Sequence, residues 1–97
     1  MEVPSSQATG YYRRGNPYRK MGKFEMAIAD FEQSLLRDST FADTYWALGL
    51  TYDAIEDFDK ALEYYQQYLD LAGEDASQTV IERVQALQET EHEPKQR

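Results

Sequence analysis

Residues 42–71 read ADTYWALGLTYDAIEDFDKALEYYQQYLDL. Apolar side chains recur there at helical spacing in two blocks: Tyr45, Leu48, Gly49 and Tyr52, then Phe58, Ala61, Leu62, Tyr65 and Leu69. That period belongs to amphipathic helices, and the two blocks predict a pair folded back on each other. Gly49 and Ala61 fall where the two backbones come closest. Tyr52, Phe58 and Tyr65 fill the flanking space, so that small faces large, as close helix packing requires.

The same grammar occurs once more upstream. Gly15, Tyr18, Phe24, Ala27, Phe31 and Leu35 each stand 34 residues before Gly49, Tyr52, Phe58, Ala61, Tyr65 and Leu69, with no insertion between them. A helix–turn–helix unit repeated at this period resembles the tetratricopeptide repeat family. The resemblance covers roughly residues 8–75 and implies an all-α solenoid of about five helices. Its units would be a repeat at 8–41, a second at 42–75 and a capping helix at 76–90. A disordered lead is expected at 1–7 and a disordered charged tail at 91–97.

The chain departs from the family pattern in four places. Ser39 and Gly73 replace the proline usual near each repeat's end, and Glu56 stands where the first repeat has Gly22 between its paired helices. These are tolerable turn residues. Arg14 occupies a position where leucine is usual, and Pro17 lies inside the first helix. The proline removes the amide that would bond the Arg13 carbonyl and crowds that carbonyl, which costs roughly 3 kcal/mol. A kink near residues 13–16 is expected. A helix opened afresh by Asn16 is disfavoured, because Tyr11 and Gly15 keep the repeat's spacing upstream.

Local signals place the remaining elements. Gly22 closes the first helix in a left-handed conformation. The second helix, about 24–37, buries Phe24, Ala27, Ile28, Phe31 and Leu35 and turns Glu25, Asp30, Glu32 and Gln33 to water. Thr40 with Asp43 resembles a capping box for a third helix at about 42–55. A fourth spans about 58–72 and stops at Gly73. Asp75 or Ser77 opens a fifth, whose Val80, Ile81, Val84 and Leu87 form one apolar stripe.

Ninety-seven residues make one small domain, and a chain of this size buries only about 60% of its unfolded surface. Two repeats are fewer than the three usually needed to stand alone. Either the capping helix suffices or copies associate. No cysteine occurs, so disulfides, thiol nucleophiles and cysteine metal sites are excluded. No stretch reads as a signal peptide or reaches membrane-spanning length, and the chain is expected to be cytoplasmic.

The net charge of −8 argues against nucleic-acid binding. It is unevenly spread: residues 1–23 carry five basic groups against Glu2 alone, a net +4, and the rest carry five against 17, a net −12. The acidity of the larger part is also what a high-salt habitat would select.

The family resemblance implies a concave face lined by the first helix of each unit, where partner peptides lie. The positions that carry over are Thr9, Tyr12, Arg13, Asn16, Arg19 and Lys20, then Asp43, Trp46, Ala47, Leu50, Asp53 and Ala54. Tyr12, Arg13, Asn16, Arg19, Lys20, Trp46, Leu50 and Asp53 are the expected contacts, for a protein or peptide with an acidic group and an apolar anchor. Against this stand plainer readings. Trp46 could pack beneath the capping helix on Val80 or Val84, and the basic cluster could be a solvated face.

The family's clamp for a heat-shock carboxylate is not supported. Of its five positions only Asn16 matches; the others fall at Tyr12, Ala47, Ser77 and Ile81. Catalysis is not expected. The one histidine, His92, lies in the tail, no loop has calcium-site spacing and no phosphate-binding glycine loop occurs. No cofactor or metal is called for. The function expected is a non-enzymatic adaptor; the rival is a structural unit that self-assembles into a homo-oligomer, favoured by the charged poles and an apolar stripe on the outer side of the fifth helix.

Overall fold

The computed structural model describes residues 5–92, the side chains of 90–92 excepted. All regular structure among them is helical: α1 (Ser6–Lys20), α2 (Phe24–Arg37), α3 (Ala42–Ala54), α4 (Phe58–Ala72), a 3₁₀ turn (Gly73–Asp75) and α5 (Gln78–His92). The chain begins its first helix earlier than its composition suggests. Ser5 is the N-cap, its hydroxyl accepting from the Ala8 amide at 3.1 Å, and Ala8 is fully buried. Residues 5–7, expected to belong to a disordered lead, are therefore part of the helix and its cap, and residues 1–4 lie outside those described. At the other end α5 reaches His92, past the expected boundary at 90, and residues 93–97 lie outside the description.

α1 continues through Pro17 as one helix, so Asn16 opens no new one. Its downstream end is pinned by two bonds, Met21 N–H to the Pro17 carbonyl at 2.9 Å and Lys23 N–H to the Tyr18 carbonyl at 2.8 Å. The second closes a six-residue loop around Gly22, whose φ is +81°, the usual way to satisfy the last carbonyls of a helix. The second unit repeats the device. Asp57 N–H bonds the Tyr52 carbonyl at 2.9 Å, and Glu56 takes the left-handed conformation at φ +67°.

Within each hairpin a glycine admits a ring. A Cβ on Gly15 would stand 2.6 Å from the Phe31 ring, and one on Gly49 would collide with Tyr65. Phe31, Tyr65, Ala27 and Ala61 are accordingly buried. α2 packs on α3 and joins the hairpins. Their shared core holds Ala27, Phe31, Ala47 and Leu48, and a second core gathers Tyr45, Ala61, Tyr65, Tyr68, Val80, Val84 and Leu87. Between units, the Ser34 hydroxyl donates to the Ala8 carbonyl at 2.9 Å and stands 3.0 Å from the Thr44 hydroxyl. With its own proton used, Ser34 accepts from Thr44.

Four local expectations are corrected. Asp30 does not face water; it is 5% exposed because Arg14 reaches across from α1 and binds its carboxylate through Nε at 2.9 Å and Nη2 at 2.8 Å. Phe58 is exposed, with the Arg83 guanidinium 5.9 Å from its ring centroid. The capping box at Thr40 does not form: Phe41 is the N-cap, and Thr40 gives both its amide and its hydroxyl to Asp38 at 3.0 and 2.7 Å. Finally, the apolar residues of α5 do not look outward, since Val80, Val84 and Leu87 are buried in the second core.

Candidate functional site

α1 and α3 are the first helices of their hairpins, and their outer faces meet along one hollow of about 260 Å³. Tyr12, Asn16, Arg19 and Lys20 line it from α1. Their spacing puts them on one helical face, beside the line that carries Gly15 into the Phe31 ring. Asp43, Trp46, Ala47 and Leu50 line it from α3 in the same manner. The wall from α1 is cationic and the wall from α3 is apolar, with a single carboxylate, Asp43, at one end.

Six of the eight expected contacts thus come together: Tyr12, Asn16, Arg19, Lys20, Trp46 and Leu50. Arg13 is exposed on α1 outside the hollow. Asp53 turns away from it toward α5, where Arg83 binds both carboxylate oxygens at 2.7 Å and the Tyr65 hydroxyl donates at 2.9 Å. Arg83 foremost, with help from Tyr65, holds the Asp53 carboxyl below the usual carboxylate range against the opposing effect of burial. Burial first and the Asp53 acceptor second push the Tyr65 phenol up.

Trp46 combines the two positions that were open to it. Its ring lies 5.1 Å from that of Tyr68 and packs against the core that contains Val80 and Val84, yet the residue also lines the hollow. The indole is held from behind and presented in front. Tyr12 is fixed likewise, its ring 4.9 Å from Phe41 and 6.1 Å from Phe31. Such packing fixes rotamers before any partner arrives, which lowers the entropy lost on binding.

Arg19 brings a buried, unpaired donor to the hollow. Its Nη2 donates to Asn16 Oδ1 at a long 3.3 Å, and its Nε is buried with no hydrogen-bond partner. A guanidinium has five N–H donors in a fork that matches a carboxylate. One is in use here, and weakly. Most of the remaining capacity is on the terminal nitrogens.

Sequence reasoning missed the two bidentate ion pairs. Arg14 and Asp30 stand 34 residues before Leu48 and Tyr64, so an apolar pair in the second unit is exchanged for an ionic pair in the first. Reading both positions together would have revealed it. Arg83 with Asp53 has no such counterpart in the repeat. Among the described residues no group of three metal-capable side chains converges, and no helix is long and apolar enough to cross a membrane.

Comparison with known proteins agrees with the repeat fold. A family model described as tetratricopeptide repeat matches residues 6–74. Over 76 residues the chain is 32% identical to anaphase-promoting complex subunit 6 of Dictyostelium discoideum, a span that takes in 78% of this chain but only 9% of that protein.

Proposed function

Because the chain belongs to the tetratricopeptide repeat family, we propose that it is a non-enzymatic adaptor of cytoplasmic setting that binds a protein or peptide in the hollow between α1 and α3. The observation that carries this reading is the pairing of an under-used guanidinium, Arg19, with a presented indole, Trp46, across one concavity. A carboxylate on the partner would take the terminal nitrogens of Arg19 with Lys20 beside them. An apolar side chain would settle on Trp46 and Leu50. Arginine and tryptophan are the residue types in which interface energy concentrates.

The similarity to a subunit of a complex suits a scaffolding role, in which the domain holds one neighbour to another. Binding of an authentic partner, captured from native lysate and then purified, tests it. Trp46→Ala together with Arg19→Ala is expected to weaken affinity by about 1,000-fold, since two anchors at ~2 kcal/mol each are removed. Unchanged affinity would exclude the hollow as the binding surface.

Self-assembly remains the second reading, on the ground of charge alone. Residues 5–37 carry six basic groups against three acidic, whereas residues 38–92 carry two against thirteen. Exposed ion pairs contribute about 0.2–1 kcal/mol each, against roughly 4–15 kcal/mol lost in rotational and translational freedom on association. With the apolar stripe of α5 buried in the second core, charge by itself is too weak to hold copies together, so the adaptor reading is preferred.

A further inference from the structure

The surface that α5 covers is built from side chains of α3 and α4. A phenol on α4 fixes a carboxylate on α3, the Tyr65 hydroxyl donating to Asp53 Oδ2 at 2.9 Å. Trp46 and Tyr68, with ring centroids 5.1 Å apart, supply an apolar floor beside it. A carboxylate oriented in this way next to aromatic surface selects a cation flanked by apolar groups.

α5 supplies that pattern. Val80, Val84 and Leu87 are buried, and Arg83 lays Nε and Nη2 on the two Asp53 oxygens, each at 2.7 Å. Glu82, Gln85 and Glu89 are exposed. α5 lies beyond the residues matched by the family model and is tethered through the turn at Gly73, whose φ is +57°. Among the described side chains, α5 is held on one side only, by three buried aliphatics, by the ion pair, whose guanidinium side chain is 42% exposed, and at its start by the Ser77 N–H donating to the Tyr68 hydroxyl at 2.8 Å.

We propose that the α3–α4 face is a second docking surface, separate from the hollow, which takes a partner's amphipathic helix of the pattern apolar-x-x-Arg-apolar-x-x-apolar, and that α5 is its resident, displaceable occupant. The recognition is of the helix-in-groove kind, with anchors one and two turns apart. The specificity element is the arginine. An incoming helix without it leaves Asp53 and the Tyr65 hydroxyl covered and without a cation, which penalises the wrong partner more than it rewards the right one.

The test uses the full chain and a dye-labelled synthetic peptide of residues 76–92. Wild type binds the peptide weakly, because its own α5 competes. Arg83→Ala in the chain loosens the resident helix and is expected to tighten peptide binding by about tenfold. Adding Asp53→Asn to that variant abolishes the gain, and a peptide carrying Arg83→Ala fails to bind any variant. Val84→Ala provides a second loosened chain, with the same expected gain, should Arg83→Ala lower helical content by circular dichroism. Equal affinity for wild type and both loosened chains, or binding indifferent to Asp53→Asn, would overturn the proposal.

Discussion

Gly49 shows how much of this fold turns on single atoms. Its missing Cβ is the space occupied by the Tyr65 ring, and Gly15 makes the same room for Phe31. Alanine would gain about 1 kcal/mol of helix propensity but must displace a ring whose surroundings are already full, at about 1–3 kcal/mol. Gly49→Ala is therefore expected to lower stability by up to about 2 kcal/mol, read from the midpoint of urea unfolding. Glu56 is the opposite case. At φ +67° it endures a conformation unfavourable to residues with a Cβ by roughly 1–2 kcal/mol, and glycine would lose some of that gain to unfolded-state entropy. Glu56→Gly should raise stability by up to about 1 kcal/mol, measured as a higher melting temperature. Both positions were legible from the 34-residue correspondence. The Arg14–Asp30 pair was half legible: the arginine stood out, but Asp30 read as a surface acid because one helix's periodicity does not reveal what reaches it from another.

At the scale of elements, helix positions were readable because glycines and periodicity mark them, and α2 and α4 fall where the pattern puts them. Caps were less readable. Thr40 and Asp43 have the spacing of a capping box, but Asp38 lies nearer and takes both Thr40 donors. The tie between α3 and α5 could not be read at all. Arg83 and Asp53 are 30 residues apart, and nothing in the chain between them signals that they meet.

That tie makes a pH prediction. A carboxyl held below its ordinary value of 3.8 contributes stability that is present above that value and lost as pH falls through the lower, folded value. Docking of α5 should be constant from neutrality to about pH 5 and weaken only below the ordinary carboxyl value. Trp46 fluorescence follows it, since the indole packs on the core that α5 completes. Asp53→Asn should remove this acid step and leave α5 looser at neutral pH. An acid step of the same size in the variant would show that other carboxylates govern it.

At the scale of the whole molecule, two nested hairpins leave a hollow, and nesting is what the proposed function needs. If the hairpins separated, Tyr12, Arg19 and Trp46 would no longer face one another, and each would be an ordinary surface residue. The seam is modest, held by Ala27, Phe31, Ala47 and Leu48 and by the Ser34–Thr44 hydroxyl pair at 3.0 Å. The hollow was legible in outline because the repeat relates α1 to α3. Asp53 was misplaced because position in a repeat says which helix a residue is on, but not whether a neighbour such as Arg83 has already claimed it.

Proton–proton contacts in solution test the nesting most directly. Nuclear Overhauser effects are expected between the Phe31 ring and the methyl groups of Ala47 and Leu48, together with those joining Gly15 to Phe31 and Gly49 to Tyr65. Contacts within each hairpin but none between Phe31 and the α3 methyls would mean that the hairpins stand apart, and no hollow would exist to bind a partner.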